Sequence, residues 1–327
     1  MTERTICRTE LELRTALEGC SKLTLSGAKL AAADVEACIK SLSFPSLRHL
    51  EELRLEDLTL HPASLDHLAS AFQNPGPLPA GRGEDVVADP SLVAGGTAEE
   101  EEELELDLFG DDVAEVLEAS AAPARMEQGS MSTLPEEGRS GLRTFALVHS
   151  PCSPSDAWSP LWRSLPLGLT ELELSGNALS DHAIAALSGA LRGHTALRLG
   201  LRGNRCKDID RLSDLVSRGC VEALDLSDNL LNDKSIQQLC EILGAPGCRL
   251  VELDLSDNRR LSSASLKTLF AKLPRSPVRQ LSLRRTSLCD NGVNFLAGML
   301  GDIDLVLLDL ALGQKLHPPM FPLIEFG

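Results

Sequence analysis

The feature that most limits what this chain can fold into is one short pattern, apolar-x-x-Leu-x-Leu, repeated at a nearly constant spacing. It begins at Cys20, Leu50, Leu142, Leu169, Ala196, Val221, Leu250, Val278 and Leu305. The first interval is 30 residues, and from Leu142 onward the intervals are 27, 27, 25, 29, 28 and 27. A period of this length marks an array of like units, each too small to bury its apolar face alone.

The second half of each unit repeats as well. Asn177, Asn204, Asn229 and Asn258 stand three residues after the second strand leucine. Four residues further on come Asp181, Asp208, Asp233 and, where Thr286 replaces the Asn, Asp290. An Asp there reads as a helix N-cap. Apolar residues follow on one helical face: Ile184, Leu187, Leu191; Ile236, Leu239, Leu243; Val293, Leu296, Leu300. Weaker caps keep the same register at Val35, Cys38, Leu42; Leu65, Leu68, Phe72; and Leu266, Leu269, Leu273. The unit from Ala196 is the shortest, and its helix is shifted by one, with Leu212 and Leu215.

Each unit therefore predicts a strand, a turn and a helix. The strand leucines point inward, and the Asn turns its amide toward backbone groups at the bend. The expected architecture is an α/β solenoid of about nine units. Parallel strands line a concave face, and helices cover a convex one. Only 3% of the chain is aromatic and none is Tyr, which suits an interior filled by aliphatic side chains.

The unit L-x-x-L-x-L-x-x-N-x-L-x-x-D is clearest at Leu169-Thr-Glu-Leu172-Glu-Leu174-Ser-Gly-Asn177 and Val221-Glu-Ala-Leu224-Asp-Leu226-Ser-Asp-Asn229. It resembles the leucine-rich repeat of the ribonuclease-inhibitor type. The resemblance covers nearly all of the chain outside residues 75–140. It implies a fold and not an activity, because members of that group share architecture rather than function.

One long gap breaks the array, between Leu50 and Leu142. The domain reading is an N-terminal cap (1–19), repeats 1–2 (20–74), an insertion (75–140), repeats 3–9 (141–312) and a C-terminal cap or tail (313–327). The insertion holds 17 acidic and 3 basic side chains, a net of −14, which leaves −3 for the other 261 residues. It opens with Pro75-Gly76-Pro77 and is rich in Gly, Ala, Pro, Ser and Glu. Such a composition buries too little apolar surface to offset ordering entropy, so the segment reads as a disordered loop. Its centre sets Leu104, Leu106, Leu108, Phe109, Val113 and Leu117 among acidic residues. Two readings stand open there: a short docking motif, or a solvated acidic loop.

The non-leucine strand residues face the concave side. Among them Glu171, Glu173, Arg198, Arg202, Asp225, Glu252, Asp254 and Arg284 form the candidate partner-binding strip. With strands about 4.8 Å apart, Asp225 and Asp254 stand side by side, and Arg198 with Arg202 offsets Glu171 and Glu173. The strip suits a partner with basic or hydrogen-bonding groups. The competing reading is that Leu-Asp-Leu-Ser-Asp-Asn is frequent repeat filler. Trp158 falls in the core register and Trp162 one step off it, which leaves partial exposure of Trp162 open, while core packing is the favoured role for both.

Chemistry is sparse. The nine cysteines show no CxxC pair, and Cys20, Cys38, Cys152 and Cys206 take leucine-equivalent places as small buried hydrophobes, which fits a reducing compartment. The seven histidines are scattered, and no phosphate loop or nucleophile elbow is present. No catalytic, cofactor or metal site is expected. The lack of a basic face argues against nucleic acid. The lack of an apolar run long enough for a signal peptide or a membrane span points to a cytoplasmic or nuclear protein without a membrane partner.

The expected function is a non-enzymatic protein–protein interaction scaffold or adaptor, monomeric before it binds. One or more protein partners would sit on the concave face, with the acidic insertion as a second contact. The resemblance implies an alternative, a small-GTPase regulator like the Ran GTPase-activating branch. The acidic region of that branch is C-terminal, whereas here it interrupts the array. A third reading, in which the insertion covers a basic part of the chain's own body, is weakened by the nearly neutral body.

Overall fold

The computed structural model describes residues 5–73 apart from 8, 18 and 29, residues 141–310, and residues 323–325. The nine expected strands are all formed. They are β2 (Lys22–Ser26), β3 (Glu52–Glu56), β4 (Thr144–Val148), β5 (Glu171–Glu173), β6 (Leu197–Gly200), β7 (Val221–Asp225), β8 (Glu252–Asp254), β9 (Gln280–Ser282) and β10 (Leu307–Asp309). Two more extend the sheet, β1 (Thr5–Cys7) at one edge and β11 (Leu323–Glu325) at the other. The spatial order follows the sequence order throughout. All pairs are parallel except β10 with β11, which is antiparallel.

A helix follows most strands: α1 (Glu10–Leu17), α2 (Ala32–Ser41), the short α3 (Phe44–Leu47), α4 (Pro62–Phe72), α5 (Ser159–Ser164), α6 (Asp181–Ala190), α7 (Ser213–Ser217), α8 (Asp233–Leu243), α9 (Ser263–Lys272) and α10 (Asp290–Met299). The strand leucines and the apolar helix faces meet in one continuous core. Leu172, Leu174, Leu253 and Leu255 are buried, as are Ile184, Leu187, Ile236, Leu239, Leu266 and Leu269. Burying a leucine fully is worth about 1.5–3 kcal/mol, so each unit is held by its neighbours. Val293 and Leu300 are only half-buried, because among the described residues no helix packs outside α10.

The asparagines do more than close their own bend. Each buried Asn amide links two units. Asn204 Nδ2 donates to Leu201 O of its own unit at 3.0 Å and to Leu174 O of the preceding one at 3.0 Å. Its Oδ1 accepts from Asn177 N and Leu179 N at 3.2 and 3.0 Å. Asn177, Asn229 and Asn258 bond in the same way. The result is a ladder that satisfies backbone groups sealed from water. At its upstream end Ser150 substitutes, accepting from Leu58 N at 3.0 Å. At its downstream end, among the described residues, the Thr286 hydroxyl bonds only to Leu283 O of its own unit, at 2.8 Å.

Beside the ladder runs a second regularity. Asp57, His149, Gly176, Gly203, Asp228, Asp257 and Arg285 all have positive φ, each two residues past its second strand leucine. The seven units from β3 to β9 turn through the left-handed region at that point, whereas Gly27 in the unit of β2 does not. The glycine is needed sterically at Gly176, where a Cβ would lie 2.0 Å from His149 Cδ2.

Three expectations need correction. The helix-start aspartates are not the caps. Asp181, Asp233 and Asp290 are the first helical residues, and the caps before them are Ser180, Asn232 and Cys289. Ser180 accepts from Ala183 N, and Asn232 forms a reciprocal box with Ser235. That frees the aspartates to reach the next unit. Asp181 Oδ1 accepts from Lys207 N and Asp208 N at 2.9 and 3.1 Å, and Asp233 Oδ1 from Ser262 N at 2.8 Å. Asp208 does precede a helical turn (Ile209–Leu212), but its side chain makes no capping bond there.

Second, Trp162 is buried although it stands one step off the core register, so core packing holds for both tryptophans and the partial exposure does not. Trp162 lies four residues from Trp158 on the same face, and the two rings stack with centroids 5.1 Å apart. The short α5 is enclosed between α4 and α6, so its buried face is wide enough for Leu161, Trp162 and Leu165 together. Third, Cys38 and Cys206 are buried as expected, whereas Cys20 and Cys152 are only half-buried.

Candidate interaction surface

Between two strand leucines one side chain must point out of the opposite face, because side chains alternate along a strand. The parallel pairing then aligns these outward residues into rows across the sheet. One row reads Glu171, Arg198, Ala223, Glu252, Gln280, Leu307 from β5 to β10. The next reads Glu173, Gly200, Asp225, Asp254, Ser282, Asp309. The two rows line a groove of about 420 Å³.

Six of the eight predicted strip residues line this groove: Glu171, Glu173, Arg198, Asp225, Glu252 and Asp254. Arg202 and Arg284 lie past the ends of β6 and β9 and do not. Arg284 instead meets Asp309 at 3.4 Å. Leu104, Leu106, Leu108, Phe109, Val113 and Leu117 lie outside the described residues. Gly200, Gln280, Ser282 and Asp309, which the strand register also turns to the concave side, line the groove too, although the eight-residue strip left them out. A signal for Gly200 was present, since a glycine inside a strand marks a close approach.

Charge pairing in the groove differs from the expectation. Arg198 feels the charge of Glu171 but forms no ion pair with Glu171 or Glu173. It reaches across β7, over the small Ala223, to Glu252 on β8, with Nη1 2.9 Å from Oε1. That hydrogen bond holds the Arg198 guanidinium above its ordinary pKa. Asp225 and Asp254 do stand side by side, as register partners on β7 and β8.

Glu173, Asp225 and Asp254 of the second row are each anchored by the serine two residues on. Asp225 Oδ1 accepts from Ser227 N and Asp254 Oδ1 from Ser256 N, both at 2.8 Å. Glu173 Oε1 accepts from Ser175 N at 3.2 Å and from the Ser175 hydroxyl. The Glu173 carboxylate lies over Gly200, where a Cβ would come 2.1 Å from Oε2. Burial pushes the Glu173 carboxyl above the usual range and the charge of Asp225 adds to that, against the Ser175 bonds. Burial likewise raises Asp254, with Asp225 again adding to the shift.

Among the described residues no group of three or more His, Cys, Asp or Glu is arranged to hold a metal ion. No helix among them is long and apolar enough to cross a membrane. Burial raises the thiols of Cys206 to about 12 and of Cys7 and Cys240 to about 11. Cys289 is exposed, and Ser263 and the backbone N–H groups opening α10 lower its thiol. The sequence reading did not single it out.

No family model matches the chain. It is 28% identical over 280 residues to NACHT, LRR and PYD domains-containing protein 5 of Bos taurus, covering 84% of this chain and 22% of that protein. To the ribonuclease inhibitor of Mus musculus it is 34% identical over 154 residues, 45% of this chain and 33% of that one. To the Tonsoku-like protein of Bos taurus it is 40% identical over 117 residues, 33% of this chain and 8% of the relative. The chain thus spans a third or less of the length of these relatives. Among solved structures, the leucine-rich repeat-containing protein LegL7 of Legionella pneumophila has a TM-score of 0.46 at 17% identity, covering 94% of this chain and 81% of that one. Since likeness to ribonuclease inhibitor accompanies a unit in which strand, asparagine rung and helix recur together, the chain is a leucine-rich-repeat protein of the ribonuclease-inhibitor type.

Proposed function

We propose that this chain is a protein-interaction scaffold that receives a protein partner in the groove over β5 to β10. The observation that carries the reading is the contrast between the two sides of each strand. The inward leucines are packed to exclusion of water, while the outward rows form a polar groove whose carboxylates keep open oxygens. A binding role is favoured over catalysis because, among the described residues, the groove is lined by no His, Cys or Lys, and its serine hydroxyls meet only carboxylates or each other, so no activated nucleophile is assembled there. A role in regulating a small GTPase would use the same face, and nothing in the arrangement of Glu171, Arg198 or Glu252 favours it over a plain adaptor. The relatives with NACHT and PYD domains in their names are longer proteins, which agrees with repeats of this kind serving as one binding module among others.

Site-specific photocrosslinking tests the reading. A crosslinking residue at Glu171 or Gln280 in the groove should trap a partner protein in cells. The same residue at Glu241 or Lys267 on the helix side should not. Adducts confined to the helix side would sink the proposal.

A further inference from the structure

The groove is unevenly charged. Six carboxylates line it against one guanidinium, and that guanidinium is taken by Glu252. Asp309 faces Arg284. Glu173, Asp225 and Asp254 have no ion-pair partner among the described residues. These three come from β5, β7 and β8, and a side chain on β6 would ordinarily separate the first from the others. Gly200 removes that barrier, and the carboxylate of Glu173 crosses over it. A second feature is independent of charge. Ser227, next outward residue after Asp225, is 2% exposed, and its hydroxyl has no hydrogen-bond partner among the described residues.

From this we infer that the groove recognises a cationic segment of its protein partner, an arginine side chain inserted against Glu173, Asp225 and Asp254, with Gly200 as the specificity-determining residue that lets the three carboxylates converge. This rests on the docking reading above and names the chemistry of the partner. The serine anchors fix one oxygen of each carboxylate in advance, so less order is lost on binding. Two acidic groups on neighbouring strands suit a planar guanidinium, which donates in a fork, better than a point-like ammonium. Complementary charge also rejects acidic partners and speeds encounter with basic ones. The acidic insertion cannot be the occupant, since its net charge has the same sign as the groove.

The test uses the full chain and a short fluorescein-labelled peptide of alternating arginine and serine, read by fluorescence anisotropy at low salt. Its citrulline counterpart, neutral and of nearly the same shape, is the control. The insertion is present in every variant and adds the same background. Asp225→Asn with Asp254→Asn should weaken the arginine peptide about tenfold or more, as for loss of close charge pairs. Gly200→Ala leaves the net charge unchanged and only displaces the end of a flexible side chain. It should still weaken binding, by about threefold or more. Glu173→Gln supplies a further variant should either of these fail to fold, with thermal melting as the check.

If Gly200→Ala binds like the parent while the paired Asn variant loses affinity, bulk charge is responsible and the proposed convergence is wrong. Equal binding of the citrulline peptide, or arginine binding untouched by all variants, overturns the proposal outright. A partner crosslinked in the groove but indifferent to these substitutions would leave the docking reading standing and remove this one alone.

Discussion

At the scale of single residues, the groove carries a cost that the rest of the fold bears. Glu173 and Asp254 titrate above their ordinary range because burial penalises their charged forms. A carboxyl raised in the folded state binds protons more tightly there than in the unfolded chain. Stability from that group is therefore present at low pH and is lost as pH rises through the raised pKa. At neutral pH both carboxylates oppose folding. Asp254→Asn, which keeps an acceptor for Ser256 N, should raise the thermal midpoint at pH 7. The gain should shrink as the pH is lowered into the acidic range, where the parent carboxyl is already neutral. A midpoint that falls at pH 7 would show that Asp254 is offset by a favourable partner. A residue kept at a stability cost fits a binding role better than a filler role.

At the scale of elements, the unit is a strand and helix joined through its asparagine. The Asn204 amide holds Leu174 O, Leu201 O, Asn177 N and Leu179 N, all in the sealed bend. Asn204→Ala would leave several buried backbone groups unpaired. Each unmet group costs about 1–3 kcal/mol, so we expect a loss of about 3 kcal/mol or more in urea unfolding. Thr286→Ala, at the end of the ladder, removes one bond within its own unit and should cost only about 1 kcal/mol. Equal losses at the two positions would mean that the ladder does not couple neighbouring units. The helix-start aspartates tie the same neighbours on the other side of the unit, through Lys207, Asp208 and Ser262.

At the scale of the molecule, the array continues in register across the insertion. β3 and β4 pair over five residues, from Glu52 with Thr144 to Glu56 with Val148, although 87 residues separate the two strands. The helices on either side, α4 and α5, pack directly, and Phe72 meets Phe145 edge-to-face at 5.1 Å. The insertion thus occupies one helix-to-strand connection and leaves the stacking intact. Taking residues 75–140 as the unfolded chain their composition implies, replacing them with a short Gly/Ser linker should preserve the far-ultraviolet circular dichroism. It should also stabilise the array by about 2 kcal/mol, since each halving of a flexible loop recovers about 0.6 kcal/mol. A collapse of the spectrum would instead make the segment part of the folded body.

What the sequence determined by itself was the unit and its count. Periodic leucines fix which side chains face inward, and no other register buries them, so strand, bend and helix are legible from Leu169 to Asp181 alone. Sidedness followed too, because outward residues are simply those between the leucines. What only the tertiary structure decided were relations between units. Arg198 pairs with Glu252 rather than with the adjacent glutamates because Ala223, on the strand between them, is small. Trp162 is buried because α4 and α6 close on both sides of α5. The aspartates tie units instead of capping helices because Ser180 and Asn232 already hold the cap. Glu173 joins Asp225 because a glycine of the next unit lies under its carboxylate. A repeat written in sequence specifies each unit against its own neighbours in the chain, whereas the groove is made of side chains that meet only after the units have stacked.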